Sequence, residues 1–374
     1  MDPIVVAGHL GEPVDRLLGD LVPVADAELL PDVGLDFIQS GEGEHPEGTP
    51  WLRLRVAVTA VAARPRAYDG YERRARPKLG PVSHPLLAVD VPWLLYRSHF
   101  AMPGSIMDGR GRPVGALLGT VNAILAAVQA TDPRVVVCCL GAEQAAYRVK
   151  LYPSYHAHRP PMPKELAGQW RRTPELLSAF GWTVAETDEL EADDLMFSFA
   201  RAEAEADGRA LILTADRDLF QAIDDRVSVL EPSKQGPRRI DAREVRRRYG
   251  VGPELVTDFI ALRGDPSDGI PGAPGIGEKT ARDLLREHGS LDSAIAGALR
   301  ERPRVAAALR DNADELRTFR EVATLVRVAV ERPRDRDTDY ARGAAAAREH
   351  GMRRLAARLE RTAGAAPTDR ALRP

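Results

Sequence analysis

Cysteine is almost absent: in 374 residues the chain holds only Cys138 and Cys139. Neighbours in a strand point to opposite faces, so these two cannot pair with each other. That excludes a disulfide-stapled scaffold and suits a reducing cytoplasm. Long apolar runs are missing as well, and nothing approaches the roughly 20 residues that span a bilayer. The start, Met1-Asp2-Pro3, lacks a basic stretch followed by an apolar core, so no secretory leader is expected. Aromatics make up 5% of the chain, lysine is sparse beside arginine, and the net charge is −3. No overall excess of positive charge marks a nucleic-acid binder, but the average hides segregation. Arg238, Arg239, Arg243, Arg246, Arg247 and Arg248 cluster apart from the acids, and local patches matter more than the sum. A hydrophobic content of 44% fits an ordinary folded chain long enough for two domains.

What is present begins quietly. Residues 1–83 read as a separate N-terminal appendage with one alternating strand candidate at 52–58. A small α/β piece, a partner-binding module and partial disorder all fit it, and no motif there carries chemistry. From Leu86 the character changes. Leu86-Leu87-Ala88-Val89 is a buried-strand candidate ending in Asp90, followed by an apolar helix over 114–129 and a second strand at 135–139. Strand, helix, strand of this length implies a parallel pair joined by a right-handed crossover. Further strands near 211–214 and 227–230 extend this to a doubly wound, mainly parallel sheet. The end of the chain, from about 300, is helical and charged, with an amphipathic stretch at 344–362 and fraying expected at 367–374.

Carboxylates gather at three places. Glu191 and Asp194 are three apart, so on a helix they share a face, with Asp193 beside them. Asp216 and Asp218 lie just past the strand ending at Thr214, where open α/β sheets place ligands. Asp265 and Asp268 form the third pair. Two carboxylates about 4 Å apart repel by about 4 kcal/mol at an effective dielectric of about 20, so a convergence of such acids calls for cations. Oxygen ligands without matching histidines favour magnesium or manganese over zinc. Taken alone, Glu191 to Asp194 is equally well read as a solvated acidic helix start; the other two pairs are what tip the balance.

Two further stretches carry meaning. Residues 147–172 interleave cations with aromatics, including Tyr147, Arg148, Lys150, Tyr152, Tyr155, His156 and Arg159, which suits a single nucleic-acid strand. A solvated helical excursion is the plainer alternative. Gly272-Ala273-Pro274-Gly275-Ile276-Gly277-Glu278-Lys279-Thr280 reads as a tight hairpin opening a helix, whose free amides can hold a phosphate.

Together, Asp90 after a strand, Glu-Ala-Asp-Asp at 191–194, Thr-Ala-Asp-Arg-Asp-Leu at 214–219, the Gly-rich block at 264–281 and the segment from Leu151 to Pro163 resemble bacterial 5′→3′ exonucleases of the flap endonuclease superfamily. These are relatives of the nuclease part of family-A DNA polymerases. The resemblance implies a PIN-like α/β domain over 84–235 with a helical arch at about 147–175. A helix-hairpin-helix (helix-3-turn-helix) domain follows over 236–335, then a helical tail. It implies a monomeric phosphodiester hydrolase acting on flapped, nicked or 5′-ended duplex DNA in the cytoplasm, with two Mg²⁺ or Mn²⁺ ions and K⁺ at the hairpin. No membrane and no protein partner are implied. By position, Asp90, Glu191, Asp193 and Asp194 would serve one ion, and Asp216, Asp218, Asp265 and Asp268 the other. Arg97, Arg148, Lys150 and Arg159 would grip phosphates, Tyr155 would stack on an unpaired base, and Gly275, Gly277, Lys279 and Thr280 would hold the duplex. Three departures stand out. Cys139 occupies the place of a metal-binding aspartate, His156 that of an arch lysine, and Val91-Pro92 replaces a small glycine-type turn. With the aspartate and lysine gone, the alternative is a silenced DNA-junction binding protein; because PIN-like domains also cut RNA, a ribonuclease is a third reading, against which the arch and hairpin argue.

Overall fold

Leu86–Asp90 forms β1, buried along its whole length in the middle of a six-stranded sheet. The computed structural model describes residues 84–365, so the expected strand at 52–58, the rest of the N-terminal appendage and the expected frayed end at 367–374 lie outside the described residues. After β1 come α1 (Val91–Ala101), α2 (Gly115–Thr131), β2 (Val135–Leu140), α3 (Ala146–Leu151), α4 (Lys164–Trp170) and α5 (Thr173–Ser178). Then follow β3 (Thr183–Glu186), α6 (Ala192–Glu205), β4 (Ala210–Leu213), β5 (Val227–Glu231), β6 (Arg238–Ile240) and α7 (Ala242–Tyr249). The second half is helical: α8 (Val256–Arg263), α9 (Glu278–His288), α10 (Leu291–Ala296), α11 (Pro303–Asp311), α12 (Ala313–Ala323), α13 (Tyr340–Glu349) and α14 (Arg353–Ala365).

The strand order is β3-β2-β1-β4-β5-β6, parallel throughout except for the antiparallel edge β6. The direction of winding reverses between β1 and β4, and the crevice at their carboxyl ends is where this architecture binds ligands. Strand alternation sorts the core into two layers. Leu86, Ala88, Val137, Cys139 and Ile212 face α6 and the helical half, while Leu87, Val89, Val136, Cys138 and Leu213 face α1, α2 and the C-terminal helices. The two cysteines do point opposite ways. On the first layer the core runs without a break from the sheet into α8, α9 and α12.

Three elements differ from the reading of the sequence. Val91-Pro92 starts α1 directly: proline stands in the first turn, where its missing N–H costs nothing, and Asp90 caps the helix. The arginine run at 238–248 is an edge strand and a helix rather than an open basic patch. Arg238, Arg247 and Arg248 pair with Glu231 or Glu244, and Arg246 pairs with Glu254. The amphipathic stretch at 344–362 is not one helix: it breaks at Gly351, and α13 and α14 fold back as a pair covering the second face of the sheet.

Candidate active site

Asp90 ends β1 at the topological switch. Its Oδ1 accepts from the N–H of Trp93 (2.9 Å), and its Oδ2 accepts from Thr214 Oγ1 (2.6 Å) at the end of β4. Thr214 Oγ1 also receives the N–H of Asp216 (2.9 Å), so one hydroxyl spaces the acids of two strands. Asp216 in turn accepts from the N–H of Asp218 (3.1 Å). Glu191, Asp193 and Asp194 open α6, where negative charge suits the helix dipole. Gly141, just past β2, lets that opening approach: a side chain there would collide with backbone atoms of Leu190, Glu191 and Ala192. Asp265 and Asp268 sit on a tight hairpin closed by two 2.8 Å backbone bonds between Asp265 and Ile270. Gly272 permits the return of that loop, having a φ of 70° and lying against the backbone of Arg263 and Gly264.

The electrostatics show that these separate segments meet. Burial, and then neighbouring acids, raise Asp193, Asp218 and Asp265 above the ordinary carboxylate range. Asp90 is pushed up to about 7, by burial first and with Asp216 adding to it. Asp216 is pushed up to about 6, by burial and then by Asp268 and Asp265. Asp268 moves the other way. Burial would raise it, but the hydrogen bond and charge of His156, with Arg159 and Arg148, outweigh that and hold it below the usual range.

Several residues expected to touch ligand are turned inward. Arg148 is buried: its Nη1 and Nη2 donate to Asp194 (2.9 and 2.8 Å), Nη1 to Glu191 (2.8 Å), and Nε to the carbonyl of Val322 (3.0 Å). It therefore does not grip phosphate; it neutralises two of the expected metal ligands. Asp194, with no exposed surface, also accepts from Tyr147 (3.3 Å) and from the N–H of Val326 (2.8 Å), which makes it a brace rather than an open ligand. Nearby, the N–H of Val328 donates to Ser198 Oγ (2.9 Å). Tyr155 is buried too, donates to Glu191 (3.0 Å) and stacks on His156 at 3.8 Å, so its face is not offered to a base. His156, buried with a φ of 54°, lies with Nε2 2.9 Å from Asp268 Oδ1 and Nδ1 3.2 Å from the carbonyl of Glu143. It closes the link between α3 and α4 onto the acidic hairpin instead of facing outward. Arg159 reaches Asp268 at 3.4 Å and is half-exposed; Arg97 lies over Trp93 and donates to the carbonyl of Pro232. Lys150, Gly275, Gly277 and Lys279 are exposed, and Thr280 is half-buried.

Cys139 pairs in register with Asp90 and is fully buried in the core layer that faces α6. Burial, then Cys138, Asp90 and Asp193, keep that thiol well above its ordinary range and therefore neutral. Sequence reasoning missed Thr214, Tyr147 and the inward role of Arg148; only the adjacency of Thr214 to the acidic pair hinted at the first.

The carboxylate set fits hard divalent cations, since a cation would relieve the repulsion that lifts these acids. Among the described residues, the group whose ligand atoms all lie within 4.8 Å of one another is Glu287, His288 and Glu301, on α9 and beyond.

Comparison with known proteins points to one family. Residues 85–250 match the 5′-3′ exonuclease N-terminal resolvase-like domain, and residues 251–340 the 5′-3′ exonuclease C-terminal SAM fold. The chain is 37% identical over 277 residues to the thermostable DNA polymerase I of Thermus thermophilus, covering 74% of this chain and 32% of that protein. It is 36% identical over 260 residues to DNA polymerase I of Mycobacterium tuberculosis, covering 68% and 28%. The chain thus spans about a third of the length of the curated relatives it matches. In fold it is similar to the D15 flap endonuclease of bacteriophage T5, solved with DNA and metal ions (TM-score 0.54, 18% identity, 75% of this chain and 99% of that one). It is also similar to the catalytic core of Rad2 with DNA substrate (TM-score 0.51, 14% identity, 75% and 92%). Two consecutive family matches running from 85 to 340, over a switch-point pocket lined with carboxylates, place the chain in the 5′-3′ exonuclease family.

Proposed function

We propose that the chain is a metal-dependent 5′→3′ exonuclease and structure-specific flap endonuclease that hydrolyses DNA phosphodiesters during replication or repair. The observation that carries this reading is the meeting of acids from β1, the start of α6, the end of β4 and the Asp265–Ile270 hairpin in one crevice. Asp90, Asp193, Asp216, Asp218 and Asp265 would hold two Mg²⁺ or Mn²⁺ ions, with Glu191, Asp194 and Asp268 behind them. Such ions, when bound, lower the pKa of a water and offset charge developing on the scissile phosphate. The residues of the chain do the rest. Thr214 and Arg148 fix the acids, and burial sharpens every charge in the crevice. Arg97, Lys150 and Arg159 would take strand phosphates, and the segment at 275–280, with Lys279 and K⁺, would hold the duplex by its backbone. Selectivity would then follow structure rather than base sequence.

The test is cleavage of a 5′-flap DNA in magnesium and in manganese, with Asp216→Ala as the blank and an RNA flap as comparison. Cation-dependent release of short DNA products, lost in the blank, is the expected result. Binding of the flap with no cleavage in either metal would replace this reading with that of a silent junction binder, for which the neutral Cys139 and the inward His156 would be the cause.

A further inference from the structure

Outside the acid pocket, a cavity of about 510 Å³ opens between the loop preceding α2 and the α4–α5 pair. Arg112, Lys164, Gly168, Arg171 and Arg172 line it, with Glu165. A side chain built on Gly168 would meet nothing within 4 Å, so that wall is open. Arg172 is anchored rather than loose: Nε donates to the carbonyl of Gly168 (3.0 Å) and Nη2 to that of Pro113 (2.6 Å). Its Nη1 is buried and has no hydrogen-bond partner. The neighbouring carboxylate, Asp108, stands 3.7 Å from Nη1 and is already engaged by Arg112 Nε at 2.8 Å and by the N–H groups of Arg110 and Arg112. Burial, and then the charge of Arg112, hold the Arg172 guanidinium below its ordinary pKa, as expected of cations crowded without enough counter-charge. Lys164 and Arg171 add two exposed cations, so Arg112, Lys164, Arg171 and Arg172 outweigh Asp108 and Glu165.

That excess suits a dianion, and the guanidinium groups of Arg112, Arg171 and Arg172 suit phosphate oxygens in particular. We propose that this cavity is an anion site separate from the acid pocket, taking a phosphate monoester dianion, either a free phosphate or the phosphorylated end of a nucleic-acid strand. Binding there needs no divalent ion, so it is measured in chelator, apart from cleavage. Inorganic phosphate is titrated calorimetrically into the full chain at fixed ionic strength. In parallel, 5′-phosphorylated and 5′-hydroxyl oligothymidylates are compared by fluorescence anisotropy. Saturable phosphate binding is expected, weakened about tenfold or more in Lys164→Glu/Arg171→Glu and kept in Arg243→Glu, which changes an exposed arginine elsewhere. A tighter grip on the phosphorylated strand, competed by inorganic phosphate, identifies a strand end as the source; phosphate binding without that preference identifies the free anion. If circular dichroism shows the double variant unfolded, Arg112→Gln is read in its place. No saturable phosphate binding together with equal affinity for both strands, or equal weakening by Arg243→Glu, overturns the site.

Discussion

The crevice has two sides with opposite electrostatic habits. On one, Glu191 and Asp194 are clamped by Arg148, and Asp268 by His156 and Arg159; negative charge there is answered from within the chain. On the other, Asp90, Asp193, Asp216, Asp218 and Asp265 are lifted by burial and then by neighbouring acids, Asp268 among them. The first side is braced as structure, and the second is the one that, on the proposed reading, would receive cations. Residue type alone does not separate them, since all are carboxylates; what separates them is whether a basic side chain arrives from another segment.

Substitutions should break this contrast with opposite signs. Removing the clamp costs most: Arg148→Met leaves two buried acids unpaired and is expected to destabilise the fold by about 3–5 kcal/mol, read from urea unfolding. On the other side, Asp216→Asn should cut flap cleavage on the order of a thousandfold, about 4 kcal/mol of transition-state stabilisation. Yet the same change should raise the stability of the metal-free protein by about 1 kcal/mol, because a repelling charge is gone. A fall in stability there would collapse the distinction between the sides. His156→Ala frees Asp268 from its hydrogen-bonded partner and is expected to cost about 2 kcal/mol in the same unfolding assay.

Acidity offers a gentler probe. Asp216 and Asp90 rise from 3.8 to about 6 and about 7, so the folded state holds protons that the unfolded chain has released. Their contribution to stability is complete below about pH 4 and is lost as pH climbs through 6 and 7. Metal-free protein should therefore soften over that window, and added Mg²⁺ or Mn²⁺ should erase the slope in thermal melts. The smallest effect is expected from Cys139→Asp: one more carboxylate beside Asp90 should tighten Mn²⁺ binding by less than about tenfold in a titration.

Much of the sheet could be read directly, because continuous apolar runs such as Leu86 to Val89 and Val135 to Val137 leave little choice but buried parallel strands. Which acids belong together was also visible, through their position after strands or at a helix start. The inward turn of Arg148, Tyr155 and His156 was not. An alternation of cations and aromatics looks the same whether it faces DNA or a buried carboxylate, and the partners of Arg148 lie at Glu191, Asp194 and Val322, far along the chain. Edge strand β6 was hidden for a similar reason: Arg238 and Arg239 pair with the side chains of Glu231 and Ser228 on the neighbouring strand, which local composition does not reveal.

The stretch leaving α12 is stitched into the chemistry. Val322 receives Arg148, Val326 holds Asp194, and Val328 rests on Ser198. The helical half and the crevice are accordingly tied together by hydrogen bonds through this one stretch. On the proposed reading, a duplex taken at residues 275–280 would be held at a set span from the acids.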